Sequence, residues 1–356
     1  MAGRVDVDRL AALLTHTNLT VLLGRRVLAL ETTLNQRLRE RVDTVAAAAE
    51  RRGTTLELIT LAIIARLEQA GIPALPLKGS ILARGLYGDV AARASIDIDI
   101  LVSPKDLSAT VEIVRRMGWR CADQPRWTGA LPLLHETMVH PEMPRIELHW
   151  RVHWYESRFA SDALDRASRP GPAEPLSMQP QDGLATLILL YARDGLAGLR
   201  LAADVAAWWD EVCGCGDCDI ELVAAEYPSL AAPLLVGSAV LAQLVGVPGR
   251  VLDRAPLRWR LAAEMATPFY AGGLAQVKAN TSLVDLLLAP PGGMGESLRR
   301  EAGKPLDELA RSGKRHRVWA RLRQSEHMLR VARRWLIAIV SALARLARRR
   351  YVTGHR

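Results

Sequence analysis

The chain has little cysteine: four in 356 residues, three of them crowded into "CGCGDC" (213–218). That number and spacing do not make a disulfide framework and fit a reduced, cytoplasmic protein. Cys213, Cys215 and Cys218 stand close enough to share a zinc ion, with Cys121 or a histidine as fourth ligand. Nothing in the spacing selects that partner, and a flexible reduced loop is the plainer reading. No transmembrane span is found, since "WLIAIVSALA" near the C-terminus is too short to cross a bilayer. "MAGRVDVDRLAALL" carries aspartates where a signal peptide needs an apolar core, so secretion is not expected. Internal repeats are lacking, and "APPGGMGES" (289–297) lacks the Gly-Lys-Ser/Thr ending of a P-loop and reads as a turn between helices. His135, His140 and His153 show no metal-ligand spacing.

What is there is a globular composition, 49% apolar and 24% charged, with a net charge of +9. The charge is unevenly placed. Residues 299–356 hold 17 Lys/Arg against 4 Asp/Glu, leaving 30 basic and 34 acidic residues in the other 298. Basicity therefore belongs to the C-terminal segment. There Leu322, Leu329, Ala332, Leu336, Ile339, Leu343 and Leu346 recur at helical spacing among arginines at 321, 323, 330, 333, 334, 345 and 348–350. A helix packed on the core with cationic flanks is expected, with RNA, an acidic partner or a membrane surface as alternative roles.

Residues 6–71 are helical in pattern, with Thr54 or Thr55 able to cap a last helix that ends at Gly71. The pattern then changes. "IPALPLKGS" (72–80) predicts a strand over 74–78 broken by Gly79, and "ILARGLYG" (81–88) a two-turn helix. A strand follows in "SIDIDILVSP" (95–104), then a helix over 104–119, then strands over 133–141 and 145–154. A Pro-rich linker (168–180) precedes further helices. The expected class is α+β: a small mixed sheet, 72–167, between N-terminal helices (1–71) and a mostly helical region (181–356) with a basic end.

The chemistry-bearing residues lie in that module. On a strand, Asp97 and Asp99 share one face while Ile96, Ile98 and Ile100 share the other. Two adjacent carboxylates repel each other unless a cation compensates, and a divalent metal is the obvious one. Solvated acids on an edge strand are the blander alternative. In "LKGS" (77–80), Gly79 permits close backbone approach, Ser80 opens a helix with free N–H groups, and Lys78 adds a cation, a set suited to phosphate. Glu147 in "IELHW" points away from Ile146 and Leu148 and would complete a triad of acids. His149 shares its face.

The stretch from Gly71 to Trp119 resembles the polymerase-β-like nucleotidyltransferases, and more narrowly the bacterial uncharacterised nucleotidyltransferase family. The resemblance rests on Lys78-Gly79, Tyr87, Arg93, Asp97/Asp99, Leu101-Val102, Gly118-Trp119 and Glu147/His149/Trp150, with Asp204 at the polar position of a later helix. It covers roughly 70–210. It implies transfer of a nucleoside monophosphate from an NTP to an acceptor, with Asp97 and Asp99 holding Mg²⁺ (or Mn²⁺). Glu147 would ligate a second metal or take the acceptor's proton. Gly79 and Ser80 would cradle phosphates, Lys78 or Arg93 would neutralise them, and His149 would orient Glu147. Sixteen residues separate Ser80 from Asp97, more than in compact members, and the third acid is Glu rather than Asp. Two rival functions remain: an inactive nucleotide-binding scaffold, and an RNA-binding protein acting through the basic C-terminal helix.

Overall fold

The β-branched run before Pro104 forms a strand, and the sheet is built around it. A computed structural model describes residues 6–16, 18–30, 36–122, 134–171, 174–214, 218–249, 251–266, 274–299, 301–302 and 317–353. Its strands are β1 (Ala74–Pro76), β2 (Asp97–Val102), β3 (Arg120–Cys121), β4 (His135–Val139) and β5 (Arg145–His149). They lie in the order β1-β2-β5-β4-β3. β2 and β5 are parallel and every other pair is antiparallel. β2 and β5 are therefore interior strands, and the edge-strand alternative for their acids falls. The expected α+β class holds. The two-residue β3 was not expected, and Leu133, the expected start of β4, lies outside the described residues.

The faces of the sheet divide by parity. Ile98, Ile100, Val102, Met138, Ile146 and Leu148 bury one face against Leu56, Ile63, Ile64 and Leu67 of α3 (Gln36–Gln69) and Val114 of α5 (Leu107–Arg116). Each such side chain contributes about 1.5–3 kcal/mol. A one-residue slip would drive Asp97 and Asp99 into that core, so the register is strongly specified. Ile96 does not join its partners: it precedes the strand and is 68% exposed.

The expected helix start at Thr54 or Thr55 is not found, because α3 runs unbroken through both residues. Thr55 Oγ1 bonds back to the Arg51 carbonyl (2.9 Å) and Thr60 to that of Leu56 (2.7 Å), so both hydroxyls are satisfied inside the helix. Gly53 serves packing instead, since a Cβ there would come within 2.8 Å of the Val90 carbonyl oxygen. The predicted two-turn helix is α4 (Ser80–Tyr87), closed by Gly88 in the left-handed region. Pro104–Asp106 forms a 3₁₀ turn ahead of α5.

A larger core joins Leu75, Leu77 and Leu101 of the module to α6 (Phe159–Arg166), α7 (Pro180–Arg193), α8 (Leu199–Trp208), α9 (Ile220–Glu226), α10 (Ala231–Val245) and α11 (Leu257–Ala266). The 18 residues Pro228–Val245 are long and apolar enough to cross a membrane, a stretch not expected from the sequence. They are mostly buried, and a helix apolar on every side is what a core position requires.

Two expectations are corrected in this region. Cys213 and Cys218 are joined in a disulfide with Cα atoms 5.6 Å apart, so they are neither a reduced loop nor zinc thiolates. The inference of a reducing compartment loses that support; Cys215 lies outside the described residues. The C-terminal helix Arg317–Thr353 does pack on the core, but through Val331, Trp335, Ala338, Ile339, Ala342 and Leu346. Arg345 fastens it to Glu264 (3.4 Å). Leu329, Leu336 and Leu343, expected inside, are 72%, 63% and 41% exposed. Small Ala338 and Ala342 let the helix approach closely on the other side, which sets its rotation. The side chains of Arg321, Leu322, Arg323, Arg349 and Arg350 lie outside the described residues.

Candidate active site

Parallel pairing of β2 with β5 sets Asp97 opposite Arg145, Asp99 opposite Glu147 and Leu101 opposite His149. On the other side of β5, β4 sets Thr137 opposite Glu147 and His135 opposite His149. Paired residues on neighbouring strands share a face. Asp97, Asp99, Glu147, His149, His135 and Arg145 therefore converge on the face that α3 and α5 leave uncovered.

Charge on this face is closely balanced. Lys78 Nζ lies 3.1 Å from Asp99 Oδ2. Arg145 Nη2 bridges Asp97 Oδ2 (2.9 Å) and Glu147 Oε1 (3.1 Å). His149 Nε2 lies 3.0 Å from Asp99 Oδ1 and 3.5 Å from Glu147 Oε2. Burial alone would raise the Asp99 carboxyl, but the His149 hydrogen bond and the Lys78 charge outweigh it and hold its pKa well below the carboxylate range. Glu147 is lowered in the same way: burial opposes, and His149 and His135 prevail. Burial, then the neighbouring His149, pushes His135 down to about 4, so its ring is neutral at physiological pH.

The phosphate-loop candidate adjoins the acids. Gly79 holds φ 88° and ψ −145°, a conformation open to glycine, and turns the chain from β1 into α4. Ser80 is buried at the first turn of α4. Ser95 Oγ, 3.6 Å from where a Gly79 Cβ would stand, donates to the Asp97 carbonyl (3.1 Å) and ties the turn to β2.

Arg93 takes its ion pair outside this cluster, although the Asp99 charge reaches it. It is buried and pairs with Asp204 of α8 (2.7 Å), to which Tyr87 also donates (3.0 Å). Its Nη2 makes no hydrogen bond among the described residues. Tyr87, Arg93 and Asp204, all carried by the resemblance, thus form one network that ties the end of α4 and the segment after it to α8.

Residues 3–246 match a family model described as uncharacterised nucleotidyltransferase. The chain belongs to that family. The match extends well beyond the 70–210 region of resemblance, taking in α1 (Val7–His16), α2 (Thr20–Leu30) and α3 at one end and α9 and α10 at the other. No curated protein and no solved structure matches the chain.

In this nucleotidyltransferase, sequence reading passed over Arg145 and discounted His135 for want of metal-ligand spacing, which the grouping of His135 with Glu147 and His149 corrects. Arg145 was findable, because it stands two residues before Glu147 and strand parity puts it on the same face. His135 carried no local signal, since its neighbours His149 and Glu147 lie across a strand pairing that the sequence does not specify. His135, Glu147 and His149 each offer a ligand atom within 4.8 Å of the others, a set able to hold a metal ion. The acids also suit a divalent cation: Asp99 Oδ2 is buried and, among the described ion pairs, faces only the Lys78 ammonium.

Proposed function

We propose that this nucleotidyltransferase moves a nucleoside monophosphate from an NTP, ATP among them, to an acceptor hydroxyl with release of pyrophosphate. The observation that carries the reading is the pairing of Asp99 beside Glu147, with Asp97 on the same face and the Gly79–Ser80 turn adjoining them. Asp97, Asp99 and Glu147 are the residues that would hold Mg²⁺ or Mn²⁺. Such a cation would neutralise charge on the transferred phosphoryl group.

The chain's own groups do the rest. Gly79 and Ser80 bind the β- and γ-phosphates with the free N–H groups of the α4 first turn, and Lys78 neutralises them, since Arg93 is buried against Asp204. Glu147 takes the acceptor's hydroxyl proton, with His149 fixing its orientation. As the new O–P bond forms at the α-phosphorus, its bond to the bridging oxygen breaks and the electron pair leaves with pyrophosphate. The module 72–167 supplies the nucleotide side. The helices of 1–71 and 181–356 present the acceptor, which is a small-molecule hydroxyl, a protein side chain or an RNA end.

The test incubates the full chain with each labelled NTP, Mg²⁺ or Mn²⁺ and a host-cell extract, beside an Asp97→Asn/Asp99→Asn variant. Label transfer and pyrophosphate release that vanish in the variant are expected. NTP binding with no release from any nucleotide would sink the reading. It would leave the scaffold alternative, which the Lys78 and Arg145 pairs favour because those cations already neutralise the acids.

A second reading concerns the C-terminal helix. Leu329, Leu336, Ile337, Val340 and Leu343 are exposed together with Arg330, Arg333 and Arg334. Apolar side chains among arginines suit an anionic membrane surface better than RNA or an acidic protein. Leu336→Glu/Val340→Glu should abolish cosedimentation with acidic vesicles; unchanged binding would refute this reading.

A further inference from the structure

The helical region reaches the polar face of the sheet. Leu75 and Leu101 are paired on that face with Asp97 and Asp99, and both join the core that holds α7 and α8. The turn between those helices is fixed by packing. Leu196 keeps a positive φ of 54° with its side chain wholly buried, and a Cβ on Gly195 would come within 2.6 Å of Thr281. Such a backbone persists only where its surroundings hold it. Arg200 follows in the first turn of α8, and its Nη1 donates to the Ala94 carbonyl oxygen (2.7 Å) at the approach to β2. The next residue, Ser95, lies against the Gly79 turn and bonds to the Asp97 carbonyl (3.1 Å). Arg200 is thereby tied to the junction of the phosphate-loop candidate and the acids.

This guanidinium is short of negative charge. Asp204 is taken by Arg93 (2.7 Å) and Tyr87 (3.0 Å), and Asp97 by Arg145 (2.9 Å). Among the described residues Arg200 has no ion pair, and its Nε and Nη2 have no hydrogen-bond partner. Neither nitrogen is enclosed, in contrast to Arg93 Nη2. Burial, then the Arg93 charge, pushes the Arg200 pKa below the usual arginine value, and Asp204, Asp194 and Asp97 offset this only in part. An arginine stays protonated all the same, so this half-buried cation carries charge that the protein does not match.

From this placement we propose that Arg200 binds the β- and γ-phosphates of the nucleotide, a polyphosphate contact that α8 adds to those of the sheet module. The proposal rests on the nucleotidyl-transfer reading for the identity of the anion. With Nη1 held by Ala94, the Nε–Nη2 edge is left to grip two phosphate oxygens side by side, the geometry a guanidinium offers and an ammonium does not. The Gly79–Ser80 turn, assigned to the same two phosphates, adjoins Ser95 next to that anchor, so a nucleoside monophosphate would not reach this arginine.

Calorimetry in Mg²⁺ tests it, with ATP, AMP and tripolyphosphate titrated into the full-length protein, its disulfide left oxidised, and into Arg200→Gln. Glutamine keeps an amide donor without the charge. Expected is a loss of about 10–100-fold in affinity for ATP and tripolyphosphate, the worth of one charge-assisted hydrogen bond, with AMP affinity unchanged. Equal affinity of parent and variant for ATP and tripolyphosphate would overturn the proposal. So would an equal loss for AMP and ATP, which a purely structural tie to Ala94 would produce. If the glutamine variant misfolds, Arg200→Lys decides by the same comparison; its selective loss is smaller, because the charge stays while the fork goes. A parent protein that binds no nucleotide counts against the nucleotidyl-transfer reading. Tripolyphosphate binding that weakens in Arg200→Gln would then still establish the anion site, and its absence from the parent would overturn it.

Discussion

Replacing Lys78 by methionine keeps most of the apolar stem and deletes the charge that faces Asp99. The Asp99 side chain is wholly buried and that of Lys78 is 16% exposed. Removing one partner of a buried ion pair typically costs about 3–5 kcal/mol, because the other charge is left uncompensated. Here the His149 hydrogen bond to Asp99 Oδ1 survives, so the lower end, about 3 kcal/mol, is expected. Urea unfolding of the chelator-treated protein at neutral pH measures it. A cycle with Asp99→Asn separates charge from packing, because the asparagine variant no longer needs the ammonium. The double variant should therefore lose far less than the two single losses together.

The pH dependence follows from the sign of the shift. In the parent protein the folded Asp99 pKa lies below its unfolded value of 3.8. Its contribution is present in full above that value and is lost as pH falls towards the folded pKa. In Lys78→Met the folded pKa climbs, since burial is the largest influence on it and loses an opponent. The variant's deficit should therefore be constant around neutrality and shrink in acid, where Asp99 protonates in the variant first. A deficit of equal size in acid and at neutrality would refute the electrostatic account and assign the loss to packing of the lysine stem.

Arg145→Ala should change stability by no more than about 1 kcal/mol, because the guanidinium is 47% exposed and such pairs contribute little. By freeing Asp97 and Glu147, it should raise Mn²⁺ affinity in calorimetry without nucleotide. Gly79→Ala should cost about 1–3 kcal/mol in denaturant unfolding from backbone strain alone, since its Cβ would meet Ser95 Oγ at an ordinary 3.6 Å. Burial pushes Glu156 up to about 8, so its folded form keeps a proton that the unfolded chain sheds above 4.5. Stability should fall as pH rises from 4.5 towards 8, and Glu156→Gln should flatten that slope, as thermal unfolding across the range would register.

Strand parity made much of the site legible. The placement of Asp97, Asp99 and Glu147 opposite the isoleucines follows from alternation alone, and Arg145 follows by the same rule. Which strand lies beside which does not follow, so His135 could not be joined to Glu147 before the β4–β5 pairing was known. The helix start at Thr54 or Thr55 misled because a threonine can satisfy its hydroxyl within a helix as well as at its end. In the C-terminal helix, apolar residues occupy more than one face, and periodicity cannot say which face meets the core. The disulfide was missed for a related reason: composition speaks to whether cysteines can form a framework, not to whether two of them meet in space.

The charge balance on the polar face bears on how a metal could enter. Three carboxylates on adjacent interior strands would repel one another if bare, and the fold answers with Lys78 and Arg145 rather than by separating them. The two cations are not equivalent. Lys78 is largely buried and faces a single oxygen of a fully buried acid, so it behaves as a fixed part of the site. Arg145 is half exposed on a long stem and bridges two acids that are themselves partly accessible. Under the proposed function, a dication arriving with a triphosphate would displace the more exposed guanidinium and leave the ammonium in place. The displaced Arg145 would then lie within reach of the incoming phosphates, so metal uptake under the proposed function would be an exchange of one cation for another rather than the filling of an uncompensated acidic pocket.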